Sequence, residues 1–132
     1  MNEALISDVI ARMAAFADIP YVLMADMNVD PKRSAAIQSA IRSQKNIDVF
    51  DDRFAGECPA TFFNKGSYIG ATGKGTSRID TMLVNWPAEL TVNACALRYS
   101  ARTGLDHVPL EVQLDAKSYD QHITVATLPR HV

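Results

Sequence analysis

Tyr21-Val22-Leu23-Met24-Ala25-Asp26-Met27-Asn28-Val29-Asp30-Pro31 is the stretch from which the fold can be read. Tyr21 to Ala25 form a short continuous apolar run, the pattern of a central strand buried on both faces. The run passes directly into Asp26-Met27-Asn28, and a carboxylate there is costly to bury unless it is paired, hydrogen-bonded or bound to a cation. Asp30-Pro31 then reads as a helix start, Asp30 as N-cap and Pro31 as first helical residue. Ala36, Ile37, Ala40 and Ile41 form an apolar stripe that continues to about Ser43. Upstream, Leu5, Ile6, Val9, Ile10, Met13 and Phe16 recur at helical spacing, and Ile19-Pro20 ends that helix.

Downstream the pattern changes to strands. Ile47 to Phe50 reads as a short extended piece, 51–59 as loop and Thr61-Phe62-Phe63 as a short strand. A loop over 64–76 follows, with glycines at 66, 70, 73 and 75. Residues 78–85 alternate, placing Ile79, Thr81 and Leu83 on one face and Asp80, Met82 and Val84 on the other. Trp86-Pro87 reads as the turn that ends this strand, and 90–99 as another strand. After a polar turn at 100–104 come Leu105-Asp106-His107, then Val108, Leu110, Val112 and Leu114 at every second position. Pro109 sits near that strand's start, where a missing donor is tolerated. Periodicity weakens from Asp115, so 1–114 is expected to form the domain and 115–132 a peripheral strand or tail. Helix, strand, helix and then mostly strands predicts an α/β layered fold with a mixed or antiparallel sheet and helices on one face.

Composition fits one globular domain: 132 residues, 48% hydrophobic and 21% charged. The formal charge of −2 gives no whole-chain attraction to a nucleic-acid backbone or anionic membrane, so any polyanion contact must be local. Cys58 and Cys95 lack neighbours at zinc-site spacing and read as reduced thiols. No apolar run is long enough to span a membrane and no signal peptide precedes the first helix, which leads us to expect an intracellular protein.

Three polar clusters interrupt these apolar strands: Asp26 with Asn28, Asp80 with Arg78, and Asp106 with His107. Any one alone reads better as a turn or cap. Together and in this order they resemble motifs of the endonuclease/exonuclease/phosphatase superfamily, whose fold is DNase I-like. Residues 21–31 resemble its strand ending in Gly-Asp-x-Asn, Ser77-Arg78-Ile79-Asp80-Thr81-Met82-Leu83-Val84 its Ser-x-x-Asp strand, and Asp106-His107-Val108-Pro109-Leu110-Glu111-Val112 its closing Ser-Asp-His motif. The resemblance implies the C-terminal half of a four-layer α/β sandwich and a phosphoester hydrolase dependent on Mg²⁺ or Mn²⁺, nuclease-like, with a phosphate ester such as DNA as substrate. It assigns His107 to the scissile phosphate, Asp80 to holding the imidazole, Asp26 to the attacking water and to the metal, Asn28 to donating toward the phosphoryl group, and Asp106 to the cation. Arg78 would meet the phosphate backbone.

Ala25 stands where the family has Gly, and Leu105 where it has Ser. The family's N-terminal half, with its metal-binding Glu, has no counterpart here. The expectation is therefore weak or absent activity for this chain by itself. It also includes self-association, or docking of a missing half, through a sheet face carrying Val22, Met24, Met82, Val84, Leu110 and Val112. A lipid or inositol phosphatase fragment and a noncatalytic interaction module are the alternatives. Gly73-Lys74-Gly75-Thr76 is not a phosphate loop, because Tyr68 occupies its first glycine position and a strand follows. Phe62, Phe63 and Tyr68 suit base stacking or core packing, with core packing favoured for Phe62 and Phe63, and His122 and His131 receive no role.

Overall fold

The structure, a computed structural model, describes residues 3–16, 18–63, 77–98, 106–115 and 117. The glycine-bearing loop, the polar turn before Asp106, Leu105 and nearly all of the tail with His122 and His131 lie outside the described residues.

Helix α1 (Glu3–Ala14) buries Ile6 and Ile10, one turn apart. Strand β1 (Val22–Asp26) follows. The helix expected from Asp30 onward is two pieces. Asp30 caps a 3₁₀ turn at Pro31–Arg33, and the fully buried Ser34 caps a new helix, α2 (Ala35–Arg42), by accepting the Ile37 N–H. A second oxygen acceptor four residues on lets the chain restart its helix in a new direction. The extended piece at Ile47 is likewise shorter than expected: β2 is Ile47–Asp48, and Asp48 caps helix α3 (Val49–Arg53). Strand β3 (Asp80–Val84) ends at Asn85, whose carboxamide caps α4 (Trp86–Glu89), so Trp86-Pro87 opens a helical turn with Pro87 in its first turn. Strands β4 (Val92–Leu97) and β5 (Leu110–Leu114) complete the described elements.

The strands form two antiparallel sheets, one of three strands in the order β1-β3-β2 and one made of β4 and β5. The single sheet expected from the sequence is divided at Val108-Pro109. The chain before Pro109 pairs with the 61–63 segment, the chain after it pairs with β4, and proline has no N–H to bridge them.

β3 is the central strand of the three, and β1 occupies an edge among the described residues, with Met24 57% exposed. On one face of this sheet Leu83 and Met27 pack with Ile6, Ile10, Ile37 and Ala40 of α1 and α2. On the other, Met82 and Val84 pack with Val49 and Phe50 of α3 and Ala88 of α4, backed by Val92, Leu97, Leu110 and Val112 of the second sheet. Met82 and Val84, expected to lack cover, are therefore fully buried. Each such side chain contributes about 1.5–3 kcal/mol through removal from water. Of the six residues expected to form an open face, Met24 is the one left mainly exposed.

Candidate active site

The register of β1 on β3 sets Val22 opposite Val84 and, four residues along, Asp26 opposite Asp80. Like charges directly across a ladder repel, and the residue brought between them is His107. It arrives through Thr61, Phe62 and Phe63, which pair with Ser77 just ahead of β3 and with 106–108. The Phe63 N–H donates to the Asp106 carbonyl and the Val108 N–H to the Thr61 carbonyl, both at 2.7 Å.

His107 Nδ1 lies 2.8 Å and 3.1 Å from the two carboxylate oxygens of Asp80, and Nε2 lies 3.7 Å from Oδ2 of Asp26. An ionised carboxylate only accepts, so Nδ1 carries the proton in this pair. The Phe62 ring meets the imidazole edge-on, with centroids 5.2 Å apart. The hydrogen bond His107 donates to Asp80 raises the pKa of His107 above its ordinary value. Burial opposes the rise, and the charges of Asp80, Asp26 and Asp106 support it.

Asn28 has a left-handed backbone, φ 52°, and its N–H donates to Oδ1 of Asp26 at 3.0 Å. Asparagine tolerates this conformation better than other non-glycine residues, and the bond fixes the Asp26 carboxylate at the strand end. The side chains of Asp26 and His107 are each about two-fifths exposed, so both remain open to a ligand.

Asp26, Asp80 and His107 each offer a ligand atom within 4.8 Å of the others, the grouping among the described residues that suits a metal ion. The donor chemistry fits a hard divalent cation in part: carboxylate oxygen is the right type, and Mg²⁺ uses one or two carboxylates and fills its remaining positions with water and phosphate. Both oxygens of Asp80 already face His107, which leaves Asp26 as the freer carboxylate. Asp106 is exposed beside the cluster but outside it.

Arg78, expected at the phosphate, is elsewhere engaged. It is 7% exposed, and its Nη2 donates to Oδ1 of Asp48 in a buried ion pair. Burial pulls the pKa of Arg78 down, and the Asp48 hydrogen bond and charge more than offset this, leaving it raised. The guanidinium thus joins the 78–80 segment to the start of α3. Cys58 and Cys95 are free thiols, and burial pushes Cys58 up to about 11, so it is a poor nucleophile at neutral pH. No described helix is long and apolar enough to cross a membrane.

Sequence reasoning gives Thr61 and Asp48 no role in the site and favours core packing for Phe62. The only signal at Thr61 and Asp48 is a hydroxyl or carboxylate beside an apolar residue, which is common at strand and helix ends.

Two antiparallel sheets with helices, carrying an Asp–His–Asp cluster at the ends of neighbouring strands, define a small mixed α/β protein. No family model matches the chain, and no curated protein matches it in sequence. Among solved structures it is similar to an AP endonuclease from Archaeoglobus fulgidus, with a TM-score of 0.60 and 20% identity over 83% of this chain. That likeness supports a DNase I-like fold. The chain spans about half the length of that enzyme, 53% of it.

Proposed function

We propose that this chain is the half of a metal-dependent phosphoester hydrolase, nuclease-like, that carries the His–Asp pair, within a four-layer sandwich completed by a second half. The observation carrying this reading is His107 held through Nδ1 by both oxygens of Asp80, with Nε2 toward the exposed Asp26. A histidine used only for packing does not need its second nitrogen beside an exposed carboxylate.

With Nδ1 donating to Asp80, Nε2 is the atom left to meet substrate. The raised pKa favours an imidazolium that donates to a nonbridging phosphoryl oxygen as its charge grows. Asp26 orients the attacking water and takes its proton, and Asn28 donates toward the phosphoryl group. Mg²⁺ or Mn²⁺ at Asp26, with Asp106 beside it, would supply positive charge to the phosphate. One or two carboxylates hold such an ion weakly, so a further ligand from a second half is required for full activity.

Mn²⁺ titrated into the ¹⁵N-labelled chain tests the reading. Paramagnetic broadening is expected first at 26–28 and 106–107, and is lost in Asp26→Asn. Broadening centred elsewhere, or unchanged by that substitution, would sink the assignment.

A further inference from the structure

We infer that Thr61 is a positioning residue for the Asp80–His107 pair, setting both partners through one side chain and its own backbone. This deepens the hydrolase reading and rests on it for its functional meaning, though its geometry stands independently.

Thr61 Oγ1 accepts the N–H groups of Ile79 and Asp80, each at 3.0 Å. Successive amides of a regular strand point to opposite edges. Two consecutive amides can converge on one oxygen only where the chain bends, and here that bend immediately precedes β3 and sets the exit direction of the Asp80 side chain. The same residue's carbonyl accepts the Val108 N–H at 2.7 Å, next to His107, and its N–H donates to the Ser77 carbonyl at 3.0 Å. One residue therefore spans the strand that carries the carboxylate and the segment that carries the imidazole.

Thr61 is fully buried, so its hydroxyl has no water to replace it, and the two amides would be left unsatisfied if it were removed. Serine could supply the same oxygen. Valine has the same shape and cannot accept. The separation of Asp80 from His107 is a hydrogen-bond distance with little slack, so a small rotation at the bend would break it.

The test compares Thr61→Val and Thr61→Ser in the full chain by NMR, with near-UV circular dichroism to establish folding. In wild type and Thr61→Ser, the strongly deshielded Nδ1 proton of His107 is expected at low temperature, with slow exchange at the Ile79 and Asp80 amides. In Thr61→Val the proton signal should be lost and those two amides should exchange at least about tenfold faster, while β3 amides from Met82 onward keep their protection. Retention of the His107 signal in folded Thr61→Val would overturn the inference. If Thr61→Val does not fold, Thr61→Ser decides: retention of the signal supports the hydroxyl's role, and its loss would place the effect in the methyl group and overturn it. None of these readouts needs substrate. Absence of phosphodiester hydrolysis even when a second half is supplied would refute the hydrolase reading and leave the Thr61 result standing.

Discussion

Replacing Arg78 by methionine should destabilise the chain severely, although the residue lies two positions from a site aspartate and carries the charge expected of a phosphate contact. The side chains of Arg78 and Asp48 are 6% and 3% exposed, so the pair is inaccessible to solvent. Nε and Nη1 of Arg78 have no hydrogen-bond partner among the described residues, so the pair's net contribution over an apolar substitute is small. Losing one partner is different. It leaves Asp48 ionised and buried without a counter-charge, at a cost of about 3–5 kcal/mol. For a chain of this length that corresponds to a midpoint lowered by roughly 10–20 °C. Asp48→Asn keeps an oxygen for the Asp51 N–H at the start of α3 but leaves the guanidinium charge unpaired, with a similar cost. The double variant Arg78→Met/Asp48→Asn removes both charges and should recover about 2–3 kcal/mol relative to the sum of the singles. Urea unfolding of the four proteins measures this directly. A stability of Arg78→Met within about 0.5 kcal/mol of wild type would refute the buried-pair argument and return Arg78 to the substrate side.

Two further outcomes follow from the site. Asn28→Gly should leave stability unchanged or slightly higher, whereas Asn28→Val should cost about 1–2 kcal/mol, because only the valine is forced into a left-handed backbone; a glycine costing as much as a valine in urea unfolding would argue against backbone strain. The raised pKa of His107 gives a signed pH dependence. Its stabilising contribution is fully present below the ordinary histidine value of about 6.5 and is lost as pH rises through the higher folded value. In EDTA, the stability difference between wild type and His107→Gln should therefore shrink as pH rises above about 6.5, and a difference that is flat or grows across that range contradicts the assignment.

The candidate site could be read from the sequence because three polar clusters interrupt apolar strands where burial would otherwise be penalised, in an order that resembles a known family. One residue from each cluster, Asp26, Asp80 and His107, is brought into a common grouping by the structure. The buried pairing of Arg78 was not legible, because a charge near a motif is indistinguishable in sequence from a charge that finds a buried partner; Asp48 lies 30 positions away. The edge position of β1 was hidden for a similar reason. Its apolar run matches that of a strand covered on both faces, but burial depends on what packs above Met24, which local pattern does not encode. Ser34 and Asn85, the caps at which the chain changes direction, are hidden in the sequence because Asp30-Pro31 already supplies a helix start ahead of the first and a proline follows close on the second.

The most direct measurement is Mg²⁺- or Mn²⁺-dependent nicking of supercoiled plasmid by the purified chain, alone and with a separately made N-terminal half added, beside His107→Ala and Asp26→Asn. The expected result is weak or no nicking by the chain alone and metal-dependent nicking by the complemented chain, reduced by about 10²–10⁴ in each variant. A complemented chain that binds metal at Asp26 yet leaves plasmid and a generic phosphodiester intact, or that nicks equally well without His107, would contradict the hydrolase account.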